Sequence, residues 1–262
     1  MKVRTFSPRA AIAAALWIGG AAATAMTAAA LPAHAAGSCP GTASLASAPS
    51  VQPAPSSVPK SHPDQVAYWE RLIAAQRRAA AGGPYGLVFL GDSITEQWTP
   101  QIMQAHFGAM RPVDLGIPYD RTQNVLWRLK EGIFPKAPPK AVVLLIGTNN
   151  LSNGQGPEET ALGVAEIVRA VRAKAPPAKI LLVSILPRTN VPLDTIRRTN
   201  EAFAGCADSA SVHYLDATAL FLRPNGGQNM SLYQEDGLHL GPAGYEALST
   251  AIEAKLRAIG AV

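Results

Sequence analysis

Five short apolar runs separated by helical patterns restrict this chain more than any other feature. Tyr85–Leu90, Arg111–Leu115, Lys140–Ile146, Lys179–Leu186 and Val212–Leu215 read as strands. Leu87-Val88-Phe89-Leu90 shows no alternation of apolar and polar residues, the pattern of a strand buried on both faces. Between the runs lie helical periodicities: Asp64–Ala80 through Val66, Trp69, Leu72 and Ile73; Gln123–Glu131 through Val125, Leu126 and Leu129; 158–174 through Ala161, Val164, Ile167, Val168 and Val171; then Asp194–Ala207 and Gly241–Ile259. Strands alternating with helices predict an α/β fold, a three-layer αβα sandwich around a central, mostly parallel five-stranded sheet.

At 262 residues and 48% hydrophobic, the chain can fill one substantial core. Residues 1–36 combine a basic start, an Ala-rich apolar stretch from Ala10 to Leu31 and the small-x-small run Ala33-His34-Ala35. That is the pattern of an export signal cleaved after Ala35 or Ala36, with an uncleaved membrane anchor as the alternative. Export leads to the periplasm or the extracellular space, and removal of the signal leaves a mature form with no stable membrane insertion. The formal charge of +5 includes Lys2, Arg4 and Arg9, whose removal lowers it to +2. So weak a balance, with Arg77-Arg78 and Arg197-Arg198 read as solvated helix surface, argues against a nucleic-acid partner. Residues 37–63 form a Pro/Ala/Ser-rich linker or surface tail, and 64–262 the domain proper. Cys39 follows a poor match to a lipoprotein site, which leaves a lipid-anchored form as a minor route. In an oxidising compartment Cys39 and Cys206 are available for one disulfide; otherwise they are unrelated thiols. Two cysteines and five histidines without HExxH spacing point to no metal site.

The first strand ends abruptly in Gly91-Asp92-Ser93-Ile94-Thr95 before Glu96 and Trp98 lead into a helix. In an open α/β sheet this carboxyl edge is where ligands bind, and a serine on the turn into a helix sits where the dipole favours negative charge. The same serine could merely cap the helix. Other strands end in Gly116 and in Gly147-Thr148-Asn149-Asn150. Late in the chain, after a loop-like stretch from Phe221 to Gln234, Asp236 precedes His239 by three positions, close enough for a carboxylate to orient an imidazole. Read singly, Asp236 could be a turn residue and His239 a structural histidine.

Taken in order, Gly91-Asp92-Ser93-Ile94, Gly116, Gly147-x-Asn149 and Asp236-x-x-His239 resemble the four blocks of the SGNH hydrolase (GDSL-type) superfamily, whose sheet is flavodoxin-like. Asp120–Leu129, Val142–Asn150 and Leu186-Pro187-Arg188 resemble the branch containing the platelet-activating factor acetylhydrolase Ib catalytic subunits. The resemblance implies Ser93 as nucleophile, His239 as base then acid, and Asp236 as its orienting carboxylate. It implies an oxyanion hole from the N–H of Ser93, the N–H of Gly116 and the side-chain amide of Asn149, with no metal or organic cofactor. Asp92 then supports the nucleophile turn. One departure stands out: the branch usually continues Gly-Ile-Gly-Gly-Asp where this chain has Gly116-Ile117-Pro118-Tyr119-Asp120. Tyr119 is either part of a rigid loop that leaves the chemistry unchanged or a candidate wall of a small acyl pocket or surface for a sugar, and Arg188 is either a candidate partner for an anionic group or a surface-paired residue. Trp127 reads as core, whereas Trp98 and Tyr233 are either core or ligand contacts.

The expected function is an exported serine esterase that hydrolyses small acyl esters, above all acetyl esters, of carbohydrate or other polar alcohols through an acyl-enzyme. The alternatives are a lipid-directed acetylhydrolase or lysophospholipase, and a catalytically silent cell-envelope carbohydrate-binding protein.

Overall fold

The computed structural model describes residues 38–41, 47–57 and 61–262. The expected export signal, 1–36, and residues 37, 42–46 and 58–60 of the linker lie outside the described residues.

Helix α1 (Pro63–Ala81) opens with proline in its first turn, where the missing N–H costs nothing, and stops at Gly82. Five strands follow: β1 (Leu87–Gly91), β2 (Pro112–Gly116), β3 (Ala141–Leu145), β4 (Lys179–Val183) and β5 (Val212–Leu215). They form one sheet in the order β2-β1-β3-β4-β5, and every pairing is parallel. The chain lays β2 on one side of β1, then returns to place β3 on the other. This reversal opens a crevice outside the carboxyl ends of β1 and β3, the place where open α/β sheets take ligands.

Both faces of the sheet are covered, which explains the unbroken apolar runs. Val88, Leu90, Val142, Leu144, Ile180 and Leu182 face one layer, built from α4 (Thr122–Lys130), α6 (Pro157–Lys174) and α7 (Leu193–Ala204). Leu87, Phe89, Val143, Leu145, Leu181 and Val183 face the other, built from α3 (Pro100–Phe107) and α8 (Pro242–Ala258). Single-turn helices α2 (Ser93–Glu96) and α5 (Thr148–Ser152) follow β1 and β3 directly.

The expected fourth strand, Lys179–Leu186, ends early at Val183. Asn200 on α7 takes the place of a neighbouring strand: its side chain accepts from Ile185 N–H at 2.8 Å and donates to Ile185 C=O at 2.9 Å. The helix into which Glu96 and Trp98 were expected to lead is α3, started by Thr99-Pro100; Thr99 Oγ1 accepts the N–H of Ile102 at 3.4 Å.

The described part of the tail lies against the first turns of α4 and α6. Ser50 C=O accepts from Thr122 Oγ1 at 2.8 Å, Ser50 N–H donates to Glu159 Oε1 at 3.2 Å, and Ala54 N–H donates to Gln123 C=O at 3.1 Å. Cys39 is joined to Cys206, just beyond α7, by a disulfide.

Candidate active site

Ser93 is the first residue of α2, so its N–H has no acceptor within the helix. Asp92 caps that turn, its Oδ1 accepting from Ile94 N–H at 3.0 Å. The Ser93 Oγ lies 2.9 Å from His239 Nε2, bridging 146 positions of chain. His239 Nδ1 lies 2.6 Å from Asp236 Oδ2. The other oxygen of Asp236 accepts from the N–H groups of Leu238 and His239, each at 2.9 Å, so one carboxylate folds the loop and also orients the ring. A carboxylate at Nδ1 selects the tautomer whose Nε2 accepts the serine proton. Gly237 makes this loop possible with a φ of 61°, and a Cβ there would stand 2.4 Å from Thr189 Cγ2.

Gly116 does not supply the expected oxyanion donor. Its N–H donates to Asp114 Oδ1 at 2.6 Å and its C=O accepts from Gln76 Nε2 at 2.9 Å, both inside the protein. Another backbone N–H, that of Tyr119, stands three residues later. Ile117-Pro118-Tyr119-Asp120 is a turn closed by Asp120 N–H to Ile117 C=O at 3.2 Å, with proline at its second position and Tyr119 at a φ of 67°. Tyr119 therefore holds the left-handed backbone that glycine adopts freely, and its N–H lies outside the hydrogen bond that closes the turn. Asn149 is next to it, since its Nδ2 donates to Asp120 C=O at 3.0 Å. One N–H of that amide is spent on position, and the second has no acceptor among the described residues. The signal in the sequence was the tyrosine itself, standing where Gly-Gly-Asp is usual.

Against this geometry, the model of the GDSL-like Lipase/Acylhydrolase family matches residues 89–247. The chain belongs to that family. It is 34% identical over 176 residues to the platelet-activating factor acetylhydrolase IB subunit alpha1 of Bos taurus, covering 65% of this chain and 74% of that protein. The alpha2 subunit of Homo sapiens is 32% identical over 166 residues, covering 61% and 70%. Two solved structures share the fold. A GDSL-like lipase from Bacteroides thetaiotaomicron superposes with a TM-score of 0.58 at 22% identity, covering 72% of this chain and 97% of that one. A carbohydrate esterase family 3 protein from Talaromyces cellulolyticus gives 0.54 at 21%, covering 68% and 100%. Membership of the GDSL family makes the chain a hydrolase.

The GDSL site rests on a buried cation. Arg128 of α4 is fully buried and uses its whole guanidinium. Nε and Nη2 bind Asp120 Oδ2 at 2.9 and 2.8 Å, Nη1 binds Gln76 Oε1 at 3.0 Å and Leu115 C=O at 2.7 Å, and Nη2 also reaches Gly91 C=O at 3.1 Å. One side chain thus ties the end of β1, the end of β2 and the Tyr119 turn together, a role that sequence reading did not assign. Burial pushes Asp92, Asp114 and Asp120 each up to about 7, against the lowering effect of their hydrogen bonds and, for Asp114 and Asp120, of Arg128. Asp236 moves the other way. Desolvation raises it, but the Leu238 N–H, the His239 ring and the His239 N–H together hold it below the usual carboxylate range.

The remaining candidates divide between site and scaffold. Arg188, half-buried, donates to Thr148 Oγ1 at 3.1 Å, one residue from Asn149, and its charge faces Asp92 and Asp236. Burial lowers its pKa while those two carboxylates raise it. Trp98 and Tyr233 are scaffold: the indole donates to Ser249 Oγ at 3.0 Å and the phenol to Pro187 C=O at 2.6 Å. Trp127, placed in the core by sequence, is half-buried against Trp69 with ring centroids 6.0 Å apart. Among the described residues, no group of three or more His, Cys, Asp or Glu could hold a metal ion, and no helix is long and apolar enough to cross a membrane.

Proposed function

We propose that the chain is an exported serine carboxylic-ester hydrolase that removes small acyl groups, above all acetyl, from carbohydrate or another polar alcohol. The observation that carries this reading is the unbroken line from Asp236 Oδ2 through His239 to Ser93 Oγ, with contacts of 2.6 and 2.9 Å.

In the proposed cycle His239 Nε2 takes the Ser93 proton as Oγ attacks the ester carbonyl. Charge developing on the carbonyl oxygen meets the Ser93 N–H at the start of α2, the Tyr119 N–H and the free N–H of the Asn149 amide. Neutral donors fixed in advance act most strongly where charge appears only in the transition state. His239 then protonates the departing alcohol, and Asp236 stabilises the imidazolium. Water attacks the acyl-Ser93 ester, giving up its proton to His239; the tetrahedral intermediate collapses, Ser93 recovers its proton and the acid leaves. Every proton in the cycle is handled by residues of this chain.

Acetyl is the acyl group in the names of the relatives at 32–34% identity. Those relatives are named platelet-activating factor acetylhydrolases, which also supports a second, lipid-directed reading. A silent binding protein fits poorly with a complete nucleophile, base and carboxylate in bonding register. The test is a panel of acetyl, butyryl and octanoyl esters of sugars, of simple alcohols and of a glycerol ether phospholipid, assayed with wild type and Ser93→Ala. Preferred release of acetate from sugar esters, abolished in the variant, is the expected result. Equal rates in both proteins reject Ser93, preference for the ether lipid selects the second reading, and no turnover with retained sugar binding selects the binding protein. Export is tested by the intact mass of the protein recovered outside the cytoplasm, expected to lack residues 1–35 or 1–36.

A further inference from the structure

Beside the Ser93 turn lies a cavity of about 250 Å³ between α1, the end of α2 and the Tyr119 turn. Its wall carries three aromatic side chains, Tyr68, Trp69 and Tyr119, and three planar polar ones, Gln65, Glu96 and Gln97. Glu96 and Gln97 belong to the turn that starts at the nucleophile, Gln97 N–H donating to Ser93 C=O at 3.0 Å. Gln97 Oε1 also accepts from Gln234 at 3.0 Å, and the Gln234 N–H donates to His239 C=O at 2.8 Å. The cavity wall is therefore built from the turn that starts at Ser93 and from the Tyr119 turn, and its Gln97 is bonded to the loop that carries His239.

Resting on the esterase reading above, we infer that this cavity seats the alcohol part of the substrate, and that this part is a single neutral sugar ring. Three observations select that chemistry. The cavity is smaller than the 300–1,000 Å³ usual for drug-sized ligands, which suits one ring rather than a chain. A long acyl or alkyl group would strip water from one carboxylate and two amides without replacing their hydrogen bonds, a loss for each group. A quaternary ammonium is disfavoured because the Arg71 guanidinium already lies over the Tyr68 ring, 5.5 Å from its centroid.

A sugar meets both halves of the wall. Its C–H face packs on aromatic rings, and Tyr119 and Tyr68 are unusually open for aromatics, at 45% and 38% exposure. Its hydroxyls meet Glu96. The Tyr68 phenol donates to Glu96 Oε1, which with burial pushes the phenol up to about 12 and keeps it a donor. Glu96 Oε2 accepts no hydrogen bond among the described residues, leaving it for a ligand hydroxyl. The left-handed backbone at Tyr119 couples the two functions, placing an N–H in the turn beside Asn149 and an aromatic ring on the cavity wall.

The test compares kcat/KM for mono-O-acetylated methyl xyloside with that for ethyl acetate in wild type, Tyr68→Ala and Glu96→Gln, with circular dichroism to verify folding. The sugar-to-ethyl ratio should fall about tenfold in each variant through KM, in Glu96→Gln by loss of one charge-assisted hydrogen bond and in Tyr68→Ala by loss of an aromatic face. Binding of methyl xyloside to the full chain bearing Ser93→Ala, followed by NMR, should be lost when Glu96→Gln is added. An unchanged ratio in both variants, or no xyloside binding to Ser93→Ala, overturns the sugar seat while acetate release from ethyl acetate leaves the esterase reading standing. Absence of turnover on every ester with xyloside still bound at Glu96 rejects the esterase reading and keeps the seat.

Discussion

Arg128→Met removes every donor from the clamp beneath the site while keeping a side chain of similar reach. It leaves Gly91 C=O, Leu115 C=O, Gln76 Oε1 and the Asp120 carboxyl without the partners they hold at 2.7–3.1 Å. Removing one partner of a buried ion pair costs about 3–5 kcal/mol. In a chain of this size that corresponds to a fall in Tm of about 6–20 °C. The loss grows with pH. Burial already raises Asp120 to about 7 beside Arg128, and without the cation the native carboxyl holds its proton to higher pH than the unfolded chain does. Holding that proton, which the unfolded chain has already released, then costs more at pH 8 than at pH 6. Catalysis should suffer separately, because Asp120 ends the turn that presents the Tyr119 N–H and accepts the bond that aims Asn149. Misalignment of these donors lowers kcat about ten- to hundredfold with little change in KM. Urea unfolding followed by tryptophan fluorescence, at both pH values, and ester kinetics at sub-denaturing temperature measure the two effects. Adding Asp120→Asn to Arg128→Met should recover stability, since it removes the stranded carboxyl, without recovering kcat. A single variant within about 1 kcal/mol of wild type and with unchanged kcat would refute the clamp.

Asn149→Ala should lower kcat about a hundredfold in steady-state ester hydrolysis, with KM nearly constant, because the amide acts on charge present only in the transition state. Unchanged kcat would remove Asn149 from the oxyanion hole. Replacing both Cys39 and Cys206 by serine opens a bridge spanning 167 positions and should cost about 2–5 kcal/mol in urea unfolding, an expectation rejected by an unchanged midpoint. Asp92, Asp114 and Asp120 have native values near 7, so between about 4 and 7 the folded protein holds protons that the unfolded chain has released. Stability should therefore rise as pH falls from about 7 toward 5. It should turn down below about 4, where Asp208 and Asp236, both held low in the fold, lose their advantage. A denaturation midpoint that falls steadily from pH 7 to 5 would contradict the burial of the three carboxyls.

Burial on both faces of a parallel strand writes itself into sequence as an uninterrupted apolar run, which is why Leu87–Leu90 and Val142–Leu145 were legible as central strands. Asp236 and His239 were legible for a different reason: three positions of one loop suffice for a carboxylate to reach an imidazole, so the signature is local. Single-turn helices such as Ser93–Glu96 and Thr148–Ser152 are shorter than the period that reveals a helix, and they leave no such trace.

Gly116 and Tyr119 show where reading by residue type fails. Glycine permits close approach, but the direction of its N–H is fixed by the strand it ends, and Asp114, two residues earlier in β2, already occupies that N–H. What the turn requires is a residue at positive φ after a proline, and the chain meets that requirement with a tyrosine at 67°. Such a backbone costs an L-residue about 1–2 kcal/mol, a strain that the Arg128 bonds to Asp120 and the Asn149 bond to its carbonyl can sustain. Arg128 was itself visible as an anomaly, a charge three residues from Val125 and next to Leu129 on the apolar side of α4, eight positions after Asp120. A cation on a buried helix face needs a carboxylate within reach. The nearest one upstream is Asp120, so the cation that stabilises the fold also holds the Tyr119 turn next to Asn149, and the two are one network.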